Sequence, residues 1–433
     1  MANISTTITI QLANGAILAI QSNGITIARG VPYAEPKRFH PPQPVGKWNG
    51  ILDCTRPAAM CPQRPSRLKF AMGDISKDRK ADEATCLHVT VWSPTGHPAS
   101  KRLLPVMAFL HGGAYLTGSG DLDAYSGSAI SSLGVVVVNI NYRLGIFGYQ
   151  PIEGVAPANL GLLDQIEALK WIQGNIHSFG GDEANITLFG ESAGADSIVH
   201  LMASDGVQGL FHRIILQSSP FMRQKTDRSA LVASLSEVAK NMLANAKDTA
   251  SSEELLCIQD QLLIAAKSLP GGSAAFGPLL NQHPLPDKSE FMIRLAQSYK
   301  RIPVLLGYNQ DEGNAFAPID SPMARSITNN FVLPAKETFH RINEGNGNAH
   351  LYEFNLTLQG NPLGAVHTTE LAFLLGSWDD WKDAPMLSGS NSREIFERVS
   401  PEVKKMWAAF AKGCNLGQQR FVIDRTFQYN GQC

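Results

Sequence analysis

The feature that most constrains this chain is the passage Leu188-Phe189-Gly190-Glu191-Ser192-Ala193-Gly194, a serine set between glycines directly after an apolar run. Ile186-Thr187-Leu188-Phe189 suits a buried strand and Ala193-Gly194-Ala195 opens a helix-like stretch, so Ser192 falls on a sharp strand-to-helix turn. Such a turn tolerates only small residues around the serine, which Gly190 and Gly194 supply. A GxSxG pattern by itself often marks nothing more than a glycine-rich turn. Its position between a strand and a helix makes Ser192 a candidate nucleophile.

The flanking sequence repeats the same alternation. Short strands fill residues 6–31, and Leu87–Trp92, Val106–Leu110, Val135–Asn141, Arg213–Gln217, Pro303–Tyr308 and His350–Asn355 read as further strands. Several are near-continuously apolar, as strands covered on both faces are. Helical spacing runs through Asn159–Ile176, Phe291–Tyr299 and Glu394–Gly413, and the pattern implies an α/β fold with a large, mostly parallel sheet. Residues 226–268 carry two amphipathic helical stretches without strand signals, so 220–275 is expected to lie over the sheet as a cap-like excursion. No repeat or low-complexity linker interrupts the chain, and residues 1–433 are expected to form one catalytic domain.

Bulk properties narrow the partners. Lys and Arg total 37 against 38 Asp and Glu, a formal charge of −1, which gives no electrostatic reason to expect nucleic acid or an anionic membrane. A neutral or weakly charged small molecule is the expected substrate. The first residues lack a basic segment followed by an apolar stretch, and no apolar run approaches a membrane span, so a soluble, cytoplasmic protein is expected. The six cysteines show no CxxC spacing, which argues against a zinc site and predicts mostly free thiols. No cofactor or metal is expected, and the sequence carries no information on oligomeric state.

A serine hydroxyl is a weak nucleophile at neutral pH and needs a base, an orienting carboxylate and donors for the developing oxyanion. In a strand-turn-serine-helix setting the acid and then the histidine follow in the chain. His200, inside the helix after Ser192, and His212, at a strand entry, read as structural. His367 lies in the loop Gly364-Ala365-Val366-His367-Thr368-Thr369 after a strand, which suits a base. For the acid, Asp311 and Glu312 both stand at the end of the strand leading into Gly307–Gly313, and spacing does not choose between them. The loop His111-Gly112-Gly113-Ala114-Tyr115 follows another strand, and its Gly113 and Ala114 amides, with that of Ala193, form a candidate oxyanion hole.

Taken together, these blocks resemble the type B carboxylesterases, the carboxylesterase, lipase and cholinesterase family of α/β-hydrolases. The similarity runs through Gly30–Ala34, His111–Gly113, Asn141–Gly145, Asn159–Gln165, Phe179–Asp182 and the Ser192 turn. It resumes at Phe276–Pro278, Gly307–Gly313, His367–Leu371 and Met406–Ala411. The resemblance implies an α/β-hydrolase fold with a shortened helical cap and a serine carboxylic-ester hydrolase working through an acyl-enzyme. It assigns the acid to Glu312, makes Arg143 and Asp164 a buried structural ion pair, gives Glu370 a supporting role under the histidine loop, and leaves Gly112 to shape its loop.

Departures from the family pattern carry further expectations. Ala84-Thr85-Cys86-Leu87 replaces the family's Glu-Asp-Cys-Leu, so the usual partner of Arg38 is lost or moved to Asp82 or Glu83. Cys61 and Cys86, bridged in secreted relatives, are expected to be reduced. No tryptophan lies between them to stack a quaternary ammonium, which disfavours a cholinesterase. The stretch from Ser219 to Phe276 is short for the family, so the acyl pocket is expected to be more open. Met72, Tyr115, Phe211, Met222, Phe276 and Phe316 are candidates to line it, each equally able to be ordinary core. An acyltransferase or lactone-forming enzyme with the same triad, or a non-catalytic binding protein, are the competing readings. A base titrating near the usual histidine value predicts activity falling as pH drops through about 6 to 7.

Overall fold

A computed structural model describes residues 5–96, 102–221, 227–244, 246–431 and 433. Its centre is a 12-stranded sheet. In chain order the main strands are β1 (Thr6–Gln11), β2 (Ala16–Ser22), β3 (Ile25–Pro32), β4 (His88–Pro94), β5 (Leu104–Leu110), β6 (Val136–Ile140), β7 (Gly181–Glu191), β8 (Arg213–Gln217), β9 (Val304–Asn309), β10 (Ala349–Phe354) and β11 (Arg420–Ile423). They lie side by side as β1-β2-β3-β4-β6-β5-β7-β8-β9-β10-β11, with the short strand Ile51–Asp53 paired to β2. From β6 to β11 every neighbour is parallel, whereas β1 to β4 form an antiparallel edge.

The apolar strands are explained by helices on both faces. In β5, Val106, Ala108 and Leu110 enter one core while Met107 and Phe109 enter the other, and β7, β8 and β9 divide the same way. The first core is closed by α1 (Leu160–Asn175), α2 (Ala193–Leu201), α3 (Ser229–Leu243), α4 (Ser252–Ala266), α5 (Lys288–Arg301) and part of α6 (Pro322–Glu344). The second is closed by α7 (Thr369–Leu374) and α8 (Ser392–Ala411). A strand buried on both faces has no polar side to show, so alternation is absent and continuous hydrophobicity takes its place. Among the described residues no helix is long and apolar enough to cross a membrane.

The two expected helices of 226–268 are α3 and α4, and α4 begins with a full capping box in which Ser251 and Glu254 satisfy each other's backbone amides. Elements not expected include α6 and β11. The 23-residue α6 contains Pro334, which lacks a backbone donor and masks the helical pattern. Strand β11 is four residues long with alternating exposure, too short a signal to separate from loop.

Candidate active site

The candidate residues meet where the parallel strands end. Ser192 follows β7 and precedes α2 with φ 53° and ψ −117°, an unfavourable conformation for a residue with a Cβ. Its own amide donates to Gln217 O at 2.8 Å, which pins the turn to β8. A side chain at Gly194 would meet Leu110 O at 1.9 Å, so glycine is required for the turn to pass under β5.

His367 and Glu312 arrive from the neighbouring strands. Glu312, fully buried just past β9, bonds Nδ1 of His367 through Oε2 and accepts the Asn309 amide at 2.8 Å through Oε1. Asp311 faces elsewhere: its Oδ2 accepts the Ala365 amide at 2.8 Å and its own amide donates to Ala365 O. The adjacent carboxylates that spacing left undivided are therefore divided by geometry, one against the imidazole and one stapling the loop that carries it. Asn309 adds a second staple, its side-chain amide donating to Val366 O at 2.9 Å and to Glu370 Oε2 at 2.5 Å.

Two buried carboxylates, Glu191 and Glu312, flank the imidazole. Glu191, the residue before Ser192, places Oε1 3.0 Å from His367 Nε2, although off the line needed for a hydrogen bond. No hydrogen bond joins Ser192 Oγ to His367 Nε2; in unliganded enzymes this contact often tightens only when substrate is bound. Burial alone would depress the imidazole, but the Glu191 and Glu312 carboxylates outweigh it and hold His367 well above the usual histidine value. That moves the expected titration upward from the range of about 6 to 7 that an unperturbed base implies. Burial likewise pushes Glu370 up to about 8, helped by Glu191 and Glu312.

The loop after β5 supplies backbone donors. Gly113 has φ 106° and a Cβ there would lie 2.0 Å from Thr117 O; Ala114 follows at φ 58°. Neither amide has an acceptor among the described residues. Ala193 heads α2, where first-turn amides have no intrahelical acceptor. Gly113, Ala114, Ser192 and His367 together line a cleft of about 690 Å³ whose walls include Leu116, Leu263, Phe276 and Phe316. α4 forms one side of it, and Arg64 ties that helix to the 62–85 loop through Glu253 and Asp260 at 2.7 and 2.9 Å.

The expected lining residues divide. Phe276 and Phe316 line the cleft. Tyr115 does not: the positive φ of Ala114 and Tyr115 turns the ring inward, where it is fully buried, bonds Asp196 at 2.7 Å and packs on Tyr149. Phe211 belongs to the core beneath the sheet, and Met72 borders a separate small recess beside Gly112 and Glu191. Met222 lies outside the described residues. Phe331 of α6 was not anticipated; its ring and that of Phe316 sit 5.1 and 5.0 Å from the His367 ring.

Comparison with known proteins places the chain in one group. The carboxylesterase family model aligns with residues 6–330. This chain belongs to the carboxylesterase family. It is 33% identical to a probable N-octanoylanthranilate hydrolase of Rhodococcus erythropolis, covering 93% of this chain and 92% of that one. A para-nitrobenzyl esterase of Bacillus subtilis is 31% identical, with 93% and 89% covered. Solved structures of a PNB esterase and a thermophilic PNB esterase both superpose with a TM-score of 0.82, at 27% and 28% identity, covering 99% of this chain and 97% and 98% of theirs. The fold is that of the α/β-hydrolases and the protein is a carboxylic-ester hydrolase; the acyl-transfer reading finds no support among these relatives.

Arg143 and Asp164 form the buried pair, at 2.6 and 2.8 Å, with the Arg143 guanidinium also donating to Lys37 O and His40 O. Arg38 turns to Glu83 in a two-pronged contact of 2.5 and 2.7 Å, so the missing family partner is replaced from the residue before Ala84. Cys61 and Cys86 stay unbridged and buried, and the neighbouring Cys61 thiol, with burial, holds the Cys86 thiol well above its usual range. Cys54 and Cys257 are also free, while Cys414 and Cys433 are paired. His200 and His212 bond backbone groups, as structural histidines do.

Proposed function

We propose that Ser192, His367 and Glu312 are the catalytic triad of this esterase and that Gly113, Ala114 and Ala193 form its oxyanion hole. His367, oriented through Nδ1 by Glu312, takes the Ser192 proton as the hydroxyl attacks an ester carbonyl. The tetrahedral oxygen takes its hydrogen bonds from the three amides, the alcohol leaves, and water cleaves the acyl-enzyme by the same route. The observation that carries this reading is the opening of Ser192, His367 and the two acceptor-free amides of Gly113 and Ala114 onto one cleft.

The substrate is a neutral or weakly charged ester. Leu116, Leu263, Phe276 and Phe316 supply apolar wall to the cleft, and its volume suits a ligand of modest size. A p-nitrobenzyl ester, the substrate class named for the Bacillus relative, is a natural first compound. The catalytic unit is the whole chain, with 220–275 as its cap.

A panel of p-nitrophenyl esters of graded acyl length tests the reading. Hydrolysis is expected with short acyl groups, declining once the acyl chain outgrows the cleft, and His367→Ala is expected to lose about 10⁴-fold in turnover. Near-normal turnover by His367→Ala would overturn the assignment.

A further inference from the structure

A second cavity of about 470 Å³ lies away from the catalytic cleft, between α8 and the segment that follows α7. Its apolar side is made by Leu133, Trp378, Phe396 and Pro401, with the Trp378 and Phe396 rings edge-to-face at 5.5 Å. Into this wall is set Lys404, only 6% exposed, from the middle of α8. Its ammonium donates to Ser400 Oγ at 2.6 Å and to Gly376 O at 3.2 Å, and it stands 5.7 Å from the centre of the Phe396 ring.

Lysine is almost never buried unless a carboxylate is paired with it, because a lone charge loses its hydration without return. Lys404 has no such partner among the described residues. Of the charged groups around it, Glu397 pairs with Arg393 at 2.7 Å, and Lys405 with Glu402 at 2.7 Å. Asp379 lies 3.7 Å from Lys382, and Asp380 accepts from the Ser377 amide and hydroxyl at 2.8 and 2.6 Å. The Lys404 ammonium has three N–H groups and two protein acceptors, which leaves one donor, and no carboxylate among the described residues stands at ion-pair distance from it. Burial accordingly pushes its titration down to about 8, with Asp380 opposing.

We propose that this cavity is a binding site for a small aromatic monocarboxylate, whose carboxylate pairs with Lys404 and whose ring lies against Trp378 and Phe396. The anion supplies the missing counter-charge and the third acceptor. The aromatic wall supplies apolar burial and accounts for a cation held beside rings instead of reaching solvent. A neutral aromatic amide of the same shape lacks the charge and is a weaker ligand.

Calorimetric titration of the intact protein with benzoate, and separately with benzamide, tests this. Saturable benzoate binding is expected at pH 7, weakening as the pH rises past about 8 with loss of the Lys404 charge. Benzamide, and benzoate with Lys404→Met, are each expected to bind roughly tenfold or more weakly, while p-nitrophenyl acetate hydrolysis by the variant stays at the wild-type level. Trp378→Ala, a change at a half-buried wall residue, is expected to weaken benzoate similarly and serves if the Lys404 variant does not fold. No benzoate saturation by the wild type up to roughly 10 mM, or equal affinity for benzamide, or binding undiminished in both variants, overturns the proposal.

Discussion

His367 Nε2 lies 3.0 Å from Oε1 of Glu191, the residue immediately before Ser192. A carboxylate so close to the face of the imidazole that must receive the serine proton stabilises its protonated form, and Glu312 on the other nitrogen does the same. Only neutral His367 is a base, so activity rises with pH through this raised value. The acid limb of kcat/KM is therefore expected to have its midpoint above 6.5, the ordinary value for histidine. Glu191→Gln is expected to shift that midpoint down, because it removes one of the two carboxylates that raise it. A pH-rate profile in which the midpoint is unchanged by the substitution contradicts this.

Asp311 and Glu312 differ in what they touch, and so in what their amides should do. Glu312→Gln keeps the shape but loses the negative charge beside Nδ1, and a loss of about 10⁴-fold in kcat is expected. Asp311→Asn weakens the bond from the Ala365 amide and loosens the histidine loop, with an expected cost of about 1 kcal/mol in stability and less than about tenfold in kcat. Steady-state kinetics and thermal melts of the two variants decide, and a more damaging Asp311→Asn would reverse the choice of acid.

Much of this was legible in the sequence, and the reasons are local. The Ser192 turn, the glycine loop at 111–115 and the apolar strands β5 to β9 each announce themselves within a few residues, since the turn sterics and two-faced burial that shape them act over that range. The choice of Glu312 over Asp311 comes from resemblance, because which of two neighbouring carboxylates turns inward depends on His367 and Ala365, far along the chain. Asn309 itself had a faint signal, a polar residue closing an apolar strand. Tyr115 was misplaced as a cleft residue because its direction follows from a left-handed backbone that residue type does not reveal. Phe331 was missed with the whole of α6, whose proline hid the helix.

Glu370 carries a pH-dependent burden on stability. Its carboxyl titrates at about 8 in the folded protein against 4.5 ordinarily, so its contribution is fully present below the ordinary value and is lost as pH rises through about 8. Glu370→Gln cannot ionise and escapes that loss. The variant's melting temperature is expected to gain on the wild type between pH 5 and pH 9, as read by thermal denaturation across that range. A difference between the two proteins that stays constant with pH contradicts the buried, proton-holding role.

The claim on which the rest depends is that the Ser192 hydroxyl forms a covalent bond with the acyl group. Treating the purified protein with a fluorophosphonate ester and mapping the digested peptides by mass spectrometry tests it directly. One adduct per chain on the peptide containing Ser192, formed in step with loss of esterase activity and greatly slowed in His367→Ala, is the predicted result. Full inactivation with the adduct on another residue, or an unmodified Ser192 in inactivated protein, would contradict it.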